Sequence, residues 1–230
     1  MIARSKRYKN SLKEISLDDE LSLSEALARL AGFEKAKFDE TVELSFSLGV
    51  DPKQSSLAVR GTVNLPNGSG KEIRVLVFTE KPDEALAAGA DIAGLDDLVS
   101  KIKDGWMDFD VALSTTGAMK SVRSVARVLG PRGLMPTPKA GTVTDDVDEA
   151  IKAVKAGRVE FKMDKTGSLA VVIGKRSFTA EQLQENAQTA LESVMASRPD
   201  GLKGRFVKTI SVSSTMSPSV RIDGTTIAQS

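Results

Sequence analysis

The sequence predicts two architectures in one chain. A discontinuous α+β domain covers residues 1–67 and 159–230, and a three-layer α/β domain, residues 68–158, is inserted into it. Three observations carry this. Residues 73–78, Ile-Arg-Val-Leu-Val-Phe, form a near-continuous apolar run, as a strand buried on both faces requires. Strand and helix patterns then alternate up to Arg158, the mark of parallel pairing. Outside this stretch the strands alternate apolar and polar side chains, as half-buried strands do.

Taken in order, residues 4–13 carry Arg4, Lys6, Arg7, Lys9 and Lys13 and no acid. That suits a solvated arm or exposed helix, or a contact with phosphates. Ser22 or Ser24 caps a helix to Leu30, with Leu23, Ala26, Leu27 and Leu30 on one face, and Gly32 ends it. From Thr41 to Leu48, Val42, Leu44, Phe46 and Leu48 share one face of a strand. A turn from Gly49 to Lys53 leads to a second strand, 57–65, and then to Pro66-Asn67-Gly68-Ser69-Gly70.

In the insert, the strand 73–78 is followed by a helix from Pro82 to Ala88, where proline suits the first turn. A short stretch, 91–94, has the length of an edge strand. A helix over 95–103 and a strand over 109–113 come next. Two helices, 119–129 and 146–156, flank a loop whose Pro131, Pro136 and Pro138 exclude both helix interior and central strand. The pattern is that of a Rossmann-like unit.

After Gly157 the strands 159–163 and 169–173 are joined by a turn over Asp164–Ser168. Thr179, with Gln182 three residues on, opens a long helix that ends near Arg198-Pro199. Strands over 206–213 and 220–223 complete the chain, and the tail from Gly224 is expected to fray. Gly68, Gly70 and Gly157 stand where the chain crosses between the domains, so a hinge is expected there.

Composition narrows the function. Hydrophobic residues make up 40% and charged residues 27%, ordinary values for a soluble globular protein. No apolar run is long enough for a bilayer, and no signal-like apolar segment follows the basic start. The chain is therefore expected to stay in the cytoplasm, away from membranes. Absent cysteine excludes disulfides and thiolate metal sites. Absent histidine removes the commonest general base and the commonest zinc ligand. No catalytic residue, metal or cofactor is expected. Asp96-Asp97 and Asp145-Asp146 lie at helix starts, where acids complement the dipole. The alternative is an enzyme binding a nucleotide on the inserted domain. However, Gly68-Ser69-Gly70-Lys71 lacks the phosphate-loop spacing, and no Gly-x-Gly-x-x-Gly follows residue 78.

The net charge is +1, so a nucleic-acid role must rest on local patches. One is Lys35, Lys37 and Phe38, where an aromatic beside lysines suits base stacking with phosphate contact. Phe38 equally suits a place under the neighbouring strand. The other runs from Lys203 to Arg221, with Lys203, Arg205, Lys208 and Arg221 and no acid. Its hydroxyls, Thr209, Ser211, Ser213, Ser214 and Thr215 among them, allow close backbone approach and bonds to phosphates and 2′-hydroxyls, or simply a polar strand face.

The string VARVLGPRGLMP, Val125 to Pro136, resembles the signature of the ribosomal protein L-one family, the mobile-stalk proteins of the large ribosomal subunit. Further resemblances are KFDETVE (37–43), LGVDP (48–52), RGTV (60–63), DKTG (164–167) and STM (214–216), so nearly the whole chain is covered. The resemblance implies that the discontinuous domain binds a bent stalk helix of large-subunit rRNA. The implied contacts are Lys37, Phe38 and Thr41, then Lys165 and Thr166, then Lys208, Thr209, Thr215 and Met216. Met216 would pack on sugar or base faces and Thr215 would hydrogen-bond. The family usually has glycine next; this chain has Ser217 before Pro218, which confines Ser217 to extended conformations. That side chain would either hold RNA off or add a hydroxyl contact. The resemblance further implies a part in releasing transfer RNA from the exit site, which the inserted domain would meet. It also implies repression of the protein's own operon messenger RNA and a monomer off the ribosome.

Overall fold

The computed structural model describes residues 4–15, 19–52, 54, 57–202 and 204–224, with the side chain of Lys139 left out. Lys53, Lys203 and the tail beyond Gly224 lie outside the described residues. The chain divides into two compact units, Met1–Gly70 with Val159–Ser230, and Lys71–Arg158.

In the first unit, Ser5 caps α1 (Lys6–Lys13), its hydroxyl accepting from Tyr8 N–H at 3.2 Å. β1 (Glu20–Leu21) is too short for periodicity to reveal, and sequence patterning gives no sign of it. Ser22, not Ser24, caps α2 (Leu23–Gly32) in a reciprocal box with Glu25. β2 (Thr41–Leu48) has the expected bounds and buries Val42, Leu44, Phe46 and Leu48. β3 (Arg60–Asn64) is shorter than expected.

The second unit shows why residues 73–78 are apolar throughout. Its strands are β4 (Val75–Phe78), β5 (Ile92–Gly94) and β6 (Val111–Ser114), and its helices α3 (Pro82–Ala87), α4 (Asp96–Lys103), α5 (Met119–Val122), α6 (Ala126–Leu129) and α7 (Val147–Lys155). The sheet is parallel, in the order β5-β4-β6. Leu76 and Phe78 pack in one apolar cluster with Leu98, Ile102 and Val122. Val75 and Val77 pack in another with Ala85, Ile151 and Val154. Successive β4 residues thus serve opposite faces of a three-layer unit. The stretch 119–129 is not one helix: a 3-10 turn, Arg123–Val125, separates α5 from α6. Three residues per turn bring Val122 and Val125, both fully buried, onto one line.

Back in the first unit come β7 (Arg158–Lys162), β8 (Ser168–Lys175), α8 (Ala180–Ala196), β9 (Val207–Ser214) and β10 (Val220–Ile222). The main sheet has the order β1-β10-β9-β2-β8, and β3 pairs with β7 separately. The strands β7 and β8, consecutive in the chain, are thus not sheet neighbours. The turn joins them, but β8 pairs with β2, and β7 is drawn to β3 because Phe161 covers Gly61, where a Cβ would meet the ring at 2.7 Å. α8, boxed at its start by Thr179 and Gln182, buries Leu183, Ala187, Ala190, Leu191 and Val194. α2 and α8 pack on each other, α8 also on β8 and α2 on β9.

Two local contacts fix this unit. Gly49 N–H donates to Phe206 O at 2.7 Å, and a Cβ there would overlap the carbonyl of Arg205. Because backbone cannot yield as a side chain can, Gly49→Ala is expected to cost about 1–3 kcal/mol in a denaturant titration. An unchanged midpoint would contradict that close packing. Fully buried Asn186 donates to Ile173 O at 2.7 Å and Gly68 O at 3.0 Å, and accepts from Asn67 N–H at 3.0 Å. Gly68 (φ 69°) and Gly70 (φ 70°) therefore sit in a turn fastened onto α8. Both belong to the first unit, and Gly157 to the second.

Candidate nucleic-acid interface

One carboxylate organises an entire end of the main sheet. Glu40 immediately precedes β2 and is 1% exposed. It accepts from Ala36 N–H at 2.8 Å, from the Ser214 hydroxyl, and from Met216 N–H at 3.4 Å. Its counter-charge is Arg176, also buried, with Nη1 at 3.7 Å. Arg176 Nη2 in turn donates to the carbonyls of Leu30 and Phe33 at the end of α2. Burial pushes the Glu40 carboxyl up, but the hydrogen bonds from Ser214, Ala36 and Met216, with Arg176, outweigh it and hold the group below the ordinary carboxylate value.

These bonds hold the candidate residues in place. Asp39 accepts from the backbone N–H and the hydroxyl of Ser177 at 3.1 and 2.7 Å, so the loop before β2 is pinned from both sides. Phe38, between the pinned points, is 53% exposed, which excludes the reading of it as core. Met216 is 48% exposed and Lys37 is exposed beside Phe38. Thr41 N–H donates to Thr215 Oγ1 at 3.0 Å, and Thr215 N–H returns to Thr41 O at 3.0 Å. Lys175 Nζ donates to Thr41 Oγ1 at 2.9 Å, adding a cation that sequence reasoning missed. Ser217 turns inward: its Oγ accepts from Ser214 N–H at 2.9 Å and donates to Pro218 O at 2.9 Å. The hydroxyl closes the turn that presents Met216.

The remaining candidates lie at the other end of the same sheet. Ser47 pairs with Ser168 on one side and Thr209 on the other, six residues along β2 from Thr41. At a strand rise of about 3.3 Å, the two ends stand roughly 20 Å apart. The turn into β8 is built on Asp164, whose Oδ1 accepts from Thr166 N–H at 2.7 Å, the Thr166 hydroxyl at 2.7 Å and Ser168 N–H at 2.9 Å. The Thr166 hydroxyl first, then the amides, draw the Asp164 carboxyl below its ordinary value. Lys165 and Thr166 are exposed, as are Lys208 and Thr209, where the β2–β9 register slips between Ser47 and Leu48. Between the ends runs the sheet face opposite the buried one. Ser45 sits between Ala170 and Ser211 there, and Arg221 is the next neighbour of Ser211. The small Ser45, Ser47 and Ser211 share this face with Glu43, which sits between Val172 and Ser213.

The second unit is built differently. In open parallel sheets, ligands bind beyond the carboxyl ends of the strands. Here Thr116, after β6, turns its N–H and hydroxyl to Asp145 at 3.0 and 3.2 Å. The adjoining hollow is lined by Thr79, Lys81, Glu84, Asp145, Asp146 and Asp148. One cation among four acids repels phosphates. No saturable ATP uptake is therefore expected by calorimetry, whereas a saturable isotherm would revive the nucleotide-enzyme alternative.

Fold and surface together define a two-unit protein whose discontinuous unit presents a pinned aromatic, basic and hydroxyl surface. The sequence model of the Ribosomal protein L1p/L10e family matches residues 30–218, and the chain belongs to this family. It is 50% identical over 225 residues to the large ribosomal subunit protein uL1 of Kosmotoga olearia, covering 97% of each chain. It is 50% identical over 236 residues to the protein of the same name from Persephonella marina, covering all of this chain and 98% of the relative. The Maridesulfovibrio salexigens protein, again of that name, is 54% identical over 205 residues, 88% of each.

Proposed function

We propose that this protein is a constituent of the cytoplasmic large ribosomal subunit and binds the rRNA of the mobile stalk through its discontinuous unit. The observation that carries the reading is the Glu40-centred surface, which holds Phe38, Thr41, Thr215 and Met216 ready while leaving the apolar pair in water. Phe38 and Met216 offer flat apolar area to bases or sugars; Lys37, Lys165 and Lys208 offer charge to phosphates; Thr166 and Thr209 offer hydroxyls. Family membership and relatives carrying the name of a large-subunit protein support the same reading. Labelled protein is expected to co-sediment stoichiometrically with large subunits stripped of their own copy. Protein left at the top of the gradient would refute the assignment.

The finer roles belong to the same reading: a non-catalytic part in releasing transfer RNA from the exit site, repression of its own operon messenger RNA, and a monomer when off the ribosome. A hinge completes it. With the Gly68–Gly70 turn fastened by Asn186, the pivot falls just after Gly70 and at Gly157. The chain has no cysteine, so two introduced at exposed Asp104 and Asp200 can carry a dye pair. Energy transfer between them is expected to change when stalk RNA binds. The same transfer with and without RNA would remove the hinge.

A further inference from the structure

With no cysteine in the chain, methionine takes the place of the thiol as the first target of peroxide. Met1 lies outside the described residues. Met107, Met119 and Met135 pack partly buried against the core of the second unit, and Met163 is 9% exposed. Among the described residues only Met195 and Met216 are exposed, at 38% and 48%. The two differ in setting. Met195 stands near the end of α8 and lines a hollow with Arg198 and Lys208. Met216 lies in the turn after β9, and the backbone on both sides of it is fastened. Thr215 N–H donates to Thr41 O at 3.0 Å, Met216 N–H to Glu40 at 3.4 Å, and Ser217 N–H to Ser214 O at 3.1 Å. The thioether therefore stays in water, outside the apolar cluster of this unit.

We propose that Met216 is a redox modification site: a hydroperoxide converts its thioether to the sulfoxide and so switches off RNA binding without unfolding the protein. This rests on the RNA-binding reading above, in which Met216 packs on bases or sugars. The step closes in atoms and electrons. An S–O bond forms as the peroxide O–O bond breaks, sulfur gives up two electrons, and with hydrogen peroxide the second oxygen leaves as water. A flexible apolar group is exchanged for a polar one that accepts hydrogen bonds. Pressed against a base or sugar face, that oxygen sheds its water and gains no donor in return. The fastened turn keeps the oxidised side chain from withdrawing. The fold is spared, because a half-exposed side chain has water at hand for the new oxygen. RNA already bound covers the sulfur, so the switch acts on free protein. Methionine sulfoxide reductases, which oxidise a dithiol and remove the oxygen as water, restore the thioether.

The test treats the full chain with hydrogen peroxide and follows each methionine by peptide mass spectrometry. Binding of a stalk rRNA fragment is titrated at each time point beside a thermal melt. Met216 and Met195 are expected to oxidise first. Stalk-RNA affinity is expected to fall at least about tenfold, as an unpaired buried acceptor requires, in step with Met216 alone. The two reductases, one for each sulfoxide epimer, should restore it. Met195→Leu should show the same loss on peroxide, whereas Met216→Leu, compared with its own untreated affinity, should show none. Stalk RNA bound beforehand should protect Met216. Complete oxidation of Met216 with affinity unchanged, a loss that tracks Met195 instead, or collapse of the thermal transition would overturn the proposal while leaving the RNA-binding reading intact. Failure of the untreated protein to prefer the stalk fragment over an unrelated hairpin would instead refute the proposed function, and the switch with it.

Discussion

Glu40→Ala is expected to cost about 3–5 kcal/mol of stability and to abolish selective RNA binding in whatever remains folded. The change removes the acceptor for Ala36, Ser214 and Met216 and leaves Arg176 buried opposite nothing. Breaking a buried pair from one side is far more damaging than replacing both partners by apolar groups. Arg176 keeps its bonds to Leu30 and Phe33, so its charge cannot swing out to water without undoing the end of α2. Glu40→Gln retains one acceptor oxygen and should be milder. The two variants also differ in acid. The folded-state value of Glu40 is lowered from about 4.5, so its stabilisation is complete above that pH and fades as pH falls through the lower folded value. Wild-type protein should therefore lose more stability below pH about 4.5 than Glu40→Gln does. Parallel acid limbs for the two would show that Glu40 titrates alike folded and unfolded.

Phe38→Ala combined with Met216→Ala is expected to weaken stalk-RNA binding by about two orders of magnitude with little change in melting temperature. A stacked base is worth about 1–3 kcal/mol to its aromatic partner, and Met216 adds apolar contact on the neighbouring loop. Both side chains are about half exposed, so truncation opens no cavity. Titration of labelled RNA, read beside a thermal melt, checks it. A large drop in melting temperature would reassign the pair to the core, and unchanged affinity would remove them from the interface. Salt offers a further contrast: the weakening should persist at high salt, because neither side chain is charged.

Much of the fold was legible because its signals are local. The alternation in β2 gave its bounds, and the apolar run of β4 marked a strand clothed on both faces. The signals that failed were those decided at a distance. β7 alone does not say whether β3 or β8 is its neighbour; Gly61 beneath Phe161 decides that. The 3-10 turn between α5 and α6 follows from two valines that must reach one core. At the interface, the exposed residues were named from motif and chemistry, but the groups that hold them were not. Glu40 meets Ser214 across 174 residues, which no local pattern reports. A faint signal existed: Glu40 shares the inward parity of Val42, Leu44 and Phe46, and an acid on a buried face needs a partner. Lys175 was likewise invisible until β8 paired with β2 and brought it to Thr41.

The most direct measurement is binding of a large-subunit stalk rRNA fragment over a salt series, against an unrelated hairpin of equal length. Tight binding to the stalk fragment alone is predicted, with a preference that survives moderate salt because shape, hydroxyl and apolar contacts supply it. Equal, weak binding of both RNAs, falling away steeply as salt rises, would mean phosphate attraction only and would contradict the Glu40-centred surface as a selective RNA site.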